Sequence, residues 1–442
     1  MLKIITVGGY NEVGKNMTVL DMGEDAIIFD AGLYLPAIVG VEERERVPTE
    51  KGMRALEAIP DDTILDREGI RQKVRAIAVS HAHLDHVGAI QYLAHRYKDA
   101  PVLGTPFTIE VLKTLLADHK EAFHNKLVSV KPNSFYTIKG KHRNYKVEFV
   151  NMTHSTIQSS MIAVHTPQGI VIYANDYKFD NAPTFGDPPN YKRLKELSKI
   201  GIKALIVDCL YAPDDRKTPS EKIARGLLED VFFTTDNHKA GIIVTTFSSH
   251  IARLKSITEF GRKLGREVVF MGRSLNKYVS SARNVGKAPF YKDIQMLAYR
   301  KRVDKMLKKI SKNKERYVVV CTGHQGEPGS ILDRISRHEL QYNLSDGDHI
   351  IFSSKTIPTP INELNRNQLE KRLKKYKVRI FDNVHVSGHG GREDLRDLIK
   401  LTQPEHVIPS HGDYPKLKAG LQKLRESIKQ HTTAKAEGGK GK

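Results

Sequence analysis

Short apolar runs that end in a glycine or a polar residue recur along the first half of the chain. The segments KIITVGG, MTVLDMG, AIIFDAG and VRAIAVS have this form, as do YKVEFVNMTH, SSMIAVHTPQ, GIVIYAND and IKALIVDCLYA. Runs of this length bounded by turn residues are typical of strands, and VGAIQYLAHRY between them has helical periodicity. Strands that end in polar residues and alternate with helices predict an α/β sandwich whose loops carry a site.

The pattern changes near Pro213. Longer amphipathic segments, SEKIARGLLEDVFF and IARLKSITEFGRKLG, alternate there with the strand-like AGIIVTTFSSH, EVVFMG, RYVVVC and HIIFSSK. This alternation predicts a mostly parallel sheet. Short strands return in VRIFDNVHVSGHGG and PEHVIPSHGD, before a polar tail. We therefore predict one domain in two parts, residues 1–212 and 376–430, with an inserted domain over 213–375 and a disordered tail over 431–442.

Charge narrows the set of partners. The 442 residues contain 71 Lys and Arg against 51 Asp and Glu, a formal net charge of +20. Such an excess favours a polyanionic partner, most simply nucleic acid, although solubility, a ribosomal setting or thermophily also produce basic proteins. The basic segments YRKRVDKMLKKISKNKERY and LEKRLKKYKVR lie in the inserted region. Each lysine there is either a nucleic-acid contact or part of an exposed helix face.

Cysteine usage and hydropathy indicate the compartment. Cys209 and Cys321 are the only cysteines, which fits a reducing cytosol and excludes a disulfide scaffold. No run of about 18 apolar residues indicates a membrane span, and the first residues enter a strand rather than a signal peptide. We expect a cytoplasmic protein without a membrane partner.

The stretch AIAVSHAHLDHVGAI concentrates titratable side chains directly after an apolar strand. Imidazoles and a carboxylate in one loop suit Zn²⁺ or a similar borderline metal. One loop cannot complete two metal sites, but other apolar segments also end in His or Asp, in NMTHST, IYANDYKF and IPSHGD. Together the segments supply seven donors, the number that two neighbouring metals need with a bridging water. They are His81, His83, Asp85, His86, His154, Asp176 and His411.

The order H-x-H-x-D-H, followed by separate His and Asp strand ends, resembles the metallo-β-lactamase superfamily. Asp30 in IIFDAG matches its first acidic motif, and the basic middle segment looks like the β-CASP insertion of nucleic-acid nucleases. VGGYNEVGKNMTVL, CTGHQGEPGSILDRIS and SSKTIP resemble signatures of the ribonuclease J family, whose short archaeal-type members lack a long C-terminal domain. The resemblance implies an αββα metallo-β-lactamase sandwich with an inserted β-CASP α/β domain.

The resemblance also assigns roles to the donors. It implies two divalent metal ions per chain, with Zn²⁺ as the first choice and Mn²⁺ as the alternative. One metal takes His81, His83 and His154, the other takes Asp85, His86 and His411, and Asp176 bridges them. The resemblance implies that Asp30 does not bind a metal itself but orients the side chains that do. The three β-CASP motifs fall on Asp208, His389 and His411.

A mechanism follows from this assignment. Two metals held by this site, which includes Asp85, would lower the pKa of a shared water towards neutrality, so that it could attack the phosphodiester. His389 is the candidate general acid, with Asp208 beside it, although His389 could instead bind phosphate without transferring a proton. By resemblance the segment HVSGH holds a terminal 5′-phosphate, with residues His385, Val386, Ser387, Gly388 and His389.

A second segment, TTFSSH, offers further contacts to the substrate. Phe247 is either a stacking platform or a core residue, and Ser248 and Ser249 are candidate donors to phosphate oxygens. The Gly-rich TGHQGEPGS either cradles backbone phosphate or only shapes a turn.

The expected function is a metal-dependent ribonuclease that degrades single-stranded RNA 5′ to 3′ from a 5′-monophosphate end and releases mononucleotides. The family tendency implies a homodimer. Three alternatives remain open: an endoribonuclease of the cleavage-and-polyadenylation type, a small-molecule hydrolase of the lactamase or glyoxalase type, and a non-catalytic RNA-binding scaffold. The intact donor set opposes the scaffold, and the basic insertion opposes the small-molecule hydrolase.

Overall fold

The first sheet is built from the apolar runs at the start of the chain. A computed structural model describes residues 2–38, 49–119, 122–419 and 422. The strands of this sheet lie in chain order, the first three antiparallel and the others parallel. They are β1 (Lys3–Gly8), β2 (Met17–Asp21), β3 (Ala26–Phe29), β4 (Val74–Ala78), β5 (Val102–Gly104) and β6 (Leu127–Ser129).

The second sheet begins with the next five strands. They are β7 (Ser134–Lys139), β8 (Asn144–Asn151), β9 (Ser160–Thr166), β10 (Gly169–Ala174) and β11 (Ile202–Asp208). Strands β7 to β10 form an antiparallel meander, and β11 pairs with β10 in parallel.

The third sheet contains only parallel pairs, in the order β14-β13-β15-β12-β16-β17. Its strands are β12 (Ile242–Thr245), β13 (Glu267–Met271), β14 (Ile294–Leu297), β15 (Tyr317–Cys321), β16 (His349–Phe352) and β17 (Arg379–Phe381). The chain then returns to the second sheet through β18 (His406–Ser410), which pairs in parallel with β11. Strands β12 to β17 therefore belong to a unit inserted between two neighbouring strands of the second sheet.

Helices cover the outer faces of all three sheets. In chain order they are α1 (Leu35–Ile38), α2 (Glu50–Ala55), α3 (Ile64–Arg67), α4 (Leu84–Val87), α5 (Ile90–Leu93), α6 (Pro106–Leu116), α7 (Tyr191–Ile200), α8 (Glu221–Thr234), α9 (Ile251–Lys263), α10 (Arg273–Asn284), α11 (Arg300–Ile310), α12 (Ile331–Ser336), α13 (Pro360–Lys374) and α14 (Arg392–Thr402). None of the helices in the described part of the chain combines the length and apolar content that crossing a membrane requires.

Packing of these elements confirms the predicted fold class. The first two sheets face each other across a dry core, where the rings of Phe29 and Tyr173 stack with centroids 5.0 Å apart. Helices α1 to α6 cover the outside of the first sheet, and α7 and α14 cover the outside of the second. The result is an αββα sandwich with an inserted α/β domain. The tail predicted for residues 431–442 lies outside the described residues.

The inserted sheet buries both of its faces. One face packs against α8, α9 and α10 and also against Ala82 and Phe107 of the sandwich. The opposite face packs against α11, α12 and α13. Because successive side chains of a strand alternate between faces, the insertion has one side towards the sandwich and one side away from it.

The segment VGAIQYLAHRY differs from its prediction as one helix. Helix α4 ends at Val87, the first residue of the segment, and the rest contains the short α5 followed by one 3-10 turn over Ala94–Arg96. The amide of Ala89 donates to the carbonyl oxygen of Ala31 at 2.8 Å, so it does not continue the hydrogen bonding of α4. This cross-connection fixes the loop after β3 against the histidine-rich segment.

Candidate metal centre

The carboxyl ends of several strands meet at one edge of the sandwich. His81 and His83 follow β4, Asp176 lies two residues after the end of β10, and His411 directly follows β18. Asp176 and His411 have φ of 57° and 56°, and Asp30 after β3 has φ of 56°. Non-glycine residues rarely adopt this left-handed conformation, which costs free energy and is concentrated at functional sites. The same left-handed conformation thus occurs at three separate strand ends, and each of them places a polar residue at this edge.

One group of donors surrounds the Oδ2 atom of Asp176. The Nδ1 atom of His83 lies 3.1 Å from His81 Nε2 and 3.0 Å from His154 Nε2. The Nε2 atoms of His81 and His154 lie 3.5 Å and 3.6 Å from Asp176 Oδ2. All four ligand atoms are within 4.8 Å of one another.

A second group shares Asp176. His86 Nε2 lies 3.1 Å from Asp176 Oδ2 and 3.6 Å from Asp85 Oδ2. His411 Nε2 lies 4.0 Å from the same Asp85 oxygen. The structure thus brings the seven predicted donors together in two overlapping groups with Asp176 in both.

The outer nitrogens of the imidazoles have acceptors, which leaves the inner nitrogens with lone pairs. His86 Nδ1 donates to Asp30 Oδ2 at 2.7 Å, and His154 Nδ1 donates to the carbonyl oxygen of Gly388 at 2.7 Å. His411 Nδ1 donates to Asn16 Oδ1 at 3.0 Å. A proton held on each outer nitrogen makes the inner nitrogen a ligand.

The outer nitrogens of His81 and His83 also have hydrogen-bond partners. The Ser80 hydroxyl donates to Asp30, so it accepts from His81 Nδ1 at 2.9 Å. His83 Nε2 lies 2.9 Å from Ser249 Oγ, which belongs to the inserted domain. Inner lone pairs of all five rings therefore converge on the carboxylates.

Electrostatics complete the fit to divalent cations. Burial and the neighbouring imidazoles hold the pKa of His83 and His154 well below the usual range, so both rings are neutral. Burial opposes ionisation of Asp176, but the imidazoles around it keep its pKa well below the usual range. Its Oδ1 atom is buried without a hydrogen-bond partner in the described part of the chain. Converging lone pairs and an unsatisfied carboxylate oxygen are what a cation would satisfy.

His389 and Asp208 form a pair beside these groups. His389 Nδ1 donates to Asp208 Oδ2 at 2.7 Å, and His389 Nε2 lies 3.9 Å from Asp176 Oδ2. Burial lowers the pKa of His389, but the carboxylates of Asp176 and Asp208 outweigh burial and raise it to about 9. His389 is therefore protonated at neutral pH and directs Nε2–H towards the donor groups.

The HVSGH segment lies against the metal ligands. A Cβ atom on Gly388 would meet Ser155 Oγ at 2.7 Å and His154 Cε1 at 2.9 Å, so only glycine fits there. Ser387 Oγ accepts from the amide of His389 at 3.0 Å, and Val386 is buried. Gly388 therefore supports His154 through its carbonyl oxygen.

His385 and Phe247 lie close to each other. Their ring centroids are 6.4 Å apart, and the Phe247 ring is 4.4 Å from that of His324 in TGHQGEPGS. Burial, together with the charge of Arg253, lowers the pKa of His385 to about 2, so this ring is neutral. Phe247 is half-buried, which leaves part of its ring accessible.

The two serines of TTFSSH differ in their surroundings. Ser248 Oγ lies 2.9 Å from Ser274 Oγ, and Ser248 is half-buried. Ser249 is buried and its hydroxyl contacts His83. Ser248 is thus partly accessible, whereas Ser249 contacts a candidate ligand.

Several supporting residues carry no recognisable signal in the sequence. Asn16 Nδ2 donates to the carbonyl oxygen of Asp85 at 2.9 Å, while its Oδ1 accepts from His411 and from Asn175. Ser80 connects Asp30 to His81. Asn16 lies within the signature VGGYNEVGKNMTVL, but single polar residues of this kind are common in turns. Only the folded chain shows which of them face the site.

Comparison with known proteins agrees with this geometry. Residues 10–198 match the family described as the metallo-beta-lactamase superfamily, 239–370 match "Ribonuclease J, beta-CASP domain", and 375–434 match "Zn-dependent metallo-hydrolase RNA specificity domain". A solved protein of unknown function from Enterococcus faecalis V583 has the same fold, with a TM-score of 0.64, 16% identity and coverage of 95% of both chains. Fold and domain matches thus define a hydrolase of the metallo-β-lactamase superfamily with a β-CASP insertion.

Full-length relatives narrow the class further. Ribonuclease J of Pyrococcus abyssi is 43% identical over 415 residues, which cover 94% of this chain and 90% of the relative. Ribonuclease J of Methanocaldococcus jannaschii is 41% identical over 429 residues, which cover 96% of this chain and 94% of the relative. Ribonuclease J2 of Bacillus subtilis is 27% identical over 440 residues, which cover 98% of this chain and 72% of the relative. The chain belongs to the ribonuclease J family, which confirms the resemblance seen in the sequence.

Proposed function

We propose that this protein is a metal-dependent ribonuclease that degrades single-stranded RNA 5′ to 3′ from a 5′-monophosphate end and releases mononucleotides. Family membership and the converging donors support RNA hydrolysis with divalent cations. The observation that carries the finer proposal is the position of HVSGH. Gly388 binds the candidate ligand His154, so the donors of Ser387 and His389 lie directly beside the candidate metal groups.

The seven donors would hold two divalent cations, Zn²⁺ first and Mn²⁺ as the alternative. One cation would take His81, His83 and His154, the other would take Asp85, His86 and His411, and both would share Asp176. Cations bound there would neutralise charge on the scissile phosphate and lower the pKa of a water molecule to near neutrality.

His389 supplies the proton that the leaving 3′-oxygen needs. Its Nε2–H points towards Asp176, and its Nδ1–H is bound by Asp208. When cations occupy Asp176, less of that carboxylate's charge acts on His389, and Asp208 becomes the main group that keeps the ring protonated. Asp208 then acts as a positioning residue, and His389 as the general acid.

The 5′-phosphate would bind between HVSGH and TTFSSH. Ser387, the neutral ring of His385 and the half-buried Ser248 offer hydrogen-bond donors. Phe247 lies beside His385 and can stack on the terminal base. A phosphate pocket beside the donor groups would seat the 5′ end with one nucleotide before the scissile bond, and this would make cleavage stepwise.

Further expectations belong to the same proposal. We propose a cytoplasmic homodimer, and a domain division at residues 212 and 375 with the metallo-β-lactamase part returning over 376–430. Light scattering coupled to size exclusion tests the dimer, and limited proteolysis tests the division. Metal analysis of the purified protein tests the number of ions and their identity.

Digestion of end-labelled RNA tests the reaction. Three RNAs of the same sequence carry a 5′-monophosphate, a 5′-triphosphate or a 5′-hydroxyl, and the products are sized over time. We expect mononucleotides from the first time point and the fastest digestion for the monophosphate. Internal fragments that appear before mononucleotides, or equal rates on all three ends, would replace this proposal with the endoribonuclease alternative.

A further inference from the structure

The most basic exposed helix faces away from the metallo-β-lactamase sandwich. Helix α11 buries Val303, Met306, Leu307 and Ile310 against one face of the inserted sheet. The opposite face of that sheet packs against the sandwich through Ala82. The sheet and its two helical layers therefore separate the exposed side of α11 from the candidate metal centre.

The exposed side of α11 is almost entirely cationic. Its side chains define what we call the distal basic face: Arg300, Lys301, Arg302, Lys305 and Lys308. None of these five forms an ion pair with a carboxylate among the residues that the structure describes. Other surface lysines do have partners, such as Lys255 with Glu259 and Lys217 with Asp397. The one acidic residue of α11, Asp304, accepts from the amide of Gln341.

This arrangement works against the stability of the helix. Lys301 and Lys305 lie four residues apart on one side, a spacing at which like charges repel. The first turn contains three cations and no acidic residue, although the helix dipole favours negative charge there. A polyanion bound along this side would relieve both unfavourable terms.

An exposed aromatic ring adjoins the distal basic face. Tyr299 precedes the first turn of α11, is 71% exposed, and makes no capping hydrogen bond with its side chain. Cations beside an accessible aromatic ring are the combination that binds single-stranded nucleic acid, by phosphate contacts and base stacking. We propose that Tyr299 and the distal basic face form a second RNA-binding site, which holds a single-stranded part of the substrate remote from the cleavage site.

The inference rests on the RNA substrate proposed above, but not on the direction or end preference of cleavage. A site on the far side of the insertion would contact long RNA only, because the inserted sheet lies between it and an oligonucleotide bound at the candidate metal centre. Binding of non-cleavable 2′-O-methyl RNA separates the two proposals, since no cleavage is needed to measure it.

The test compares two variants with equal loss of charge. Lys301→Gln/Lys305→Gln/Lys308→Gln removes three cations from α11. The control, Lys192→Gln/Lys195→Gln/Lys199→Gln, removes three exposed lysines from α7, outside the second sheet. Affinity is measured by fluorescence anisotropy with a tetranucleotide and with an RNA of about 40 nucleotides, at several salt concentrations.

We expect the α11 variant to bind the long RNA at least about tenfold more weakly, with a salt slope shallower by about 2, since each lost phosphate contact contributes about 0.7. Its affinity for the tetranucleotide should be unchanged, and the α7 control should match wild type on both. Equal losses in the two variants would overturn the proposal, because only net charge would then matter. If the α11 variant lost as much affinity for the tetranucleotide as for the long RNA, α11 would belong to the binding site of short RNA, and the proposal of a second site would also be overturned.

The aromatic ring has its own test. Tyr299→Ala should weaken binding of the long RNA about fivefold or more, which corresponds to the loss of one stacked base. The control Phe135→Ala removes another exposed ring, on the edge strand β7, and should have no effect. Unchanged affinity for Tyr299→Ala would refute stacking. Loss of binding to anionic lipid vesicles by the α11 variant, with RNA binding unchanged, would assign the face to a membrane instead.

Discussion

The substitution Asp208→Asn isolates the contribution of one carboxylate to the proposed general acid. The amide oxygen of asparagine can still accept from His389 Nδ1, so the position of the ring is preserved. What disappears is the negative charge 2.7 Å from that nitrogen, on an imidazole whose side chain is only 19% exposed. The substitution therefore alters the pKa of His389 rather than its place in the site.

The expected change in the pKa of His389 can be judged from the shift that the neighbouring carboxylates already cause. Burial lowers the pKa of His389, and Asp176 and Asp208 raise it from 6.5 to about 9. Loss of a carboxylate at hydrogen-bond distance from an imidazole typically lowers the pKa of the ring by about 1 to 2 units, or about 1.4 to 3 kcal/mol. In the metal-free protein, a drop from about 9 to about 7.5 would reduce the protonated fraction at pH 8 from roughly 0.9 to roughly 0.25, and bound cations would lower both values without changing the direction of the shift.

The sign of the pH dependence is fixed by the role of the ring. A general acid must carry its proton, so activity is present below the pKa of His389 and is lost as pH rises through it. Asp208→Asn should therefore move the alkaline limb of the single-turnover rate profile to lower pH, by about 1 to 2 units. The control Asp397→Asn removes an exposed carboxylate that pairs with Lys217 at 2.8 Å, and should leave the limb in place.

Two results would refute this reasoning. An alkaline limb that stays at the wild-type pH in Asp208→Asn, with bound metal and fold unchanged, would show that His389 does not donate the proton through this pair. Loss of bound metal without a pH shift would make Asp208 a metal ligand, because Asp176, Asp208 and His389 also lie within 4.8 Å of one another.

Further predictions concern the metals, the RNA and its 5′ end. His83→Ala and Asp85→Ala should each abolish cleavage while circular dichroism stays that of the wild type, and a wild-type rate in either would contradict the ligand assignment. Metal affinity, measured by competition with a chromophoric chelator, should fall with decreasing pH, because carboxylates hold the pKa of His86 well above its usual range despite burial, and the proton competes with the cation. Affinity for non-cleavable RNA should fall by roughly tenfold or more from about 50 to about 200 mM salt, and a flat response would indicate another ligand. Ser387→Ala should reduce the ratio of the initial rate on 5′-monophosphate RNA to that on 5′-hydroxyl RNA, by a factor that corresponds to about 1–3 kcal/mol of lost phosphate binding. An unchanged ratio would show that Ser387 does not belong to the phosphate pocket.

The strand ends could be predicted from the sequence because local pattern determines them. Each candidate ligand follows an apolar run, and the hydrophobic core fixes where such runs end. Asp176 and His411 illustrate this: they lie within two residues of the ends of β10 and β18, and the fold brings those strand ends to one edge. The family resemblance supplied the order of the two domains, which periodicity alone does not contain.

Side-chain direction could not be predicted in the same way. Gly388 and Ser249 are predicted to contact phosphate, but the sequence does not show that the Gly388 carbonyl oxygen accepts from His154 or that the Ser249 hydroxyl lies beside His83. Polar residues in one short loop differ in which partner they meet, and that depends on contacts far away in the chain. The distal basic face shows the same limit, since helical periodicity predicts an exposed side but not which face of a sheet the helix covers.

These two hydrogen bonds also connect the candidate metal centre to the rest of the molecule. His83 lies in the sandwich but is held by Ser249 of the inserted domain, and His154 is held by Gly388 in the segment that leads back from it. Arg253 supports that segment: its guanidinium is fully buried, pairs with Glu221, and donates to Ser353 and to the carbonyl oxygen of Val384. The rings of His83 and His154, which belong to the same candidate metal group, are therefore oriented only when the insertion is docked on the sandwich. The geometry of these candidate ligands therefore depends on the same few contacts that hold the insertion against the sandwich.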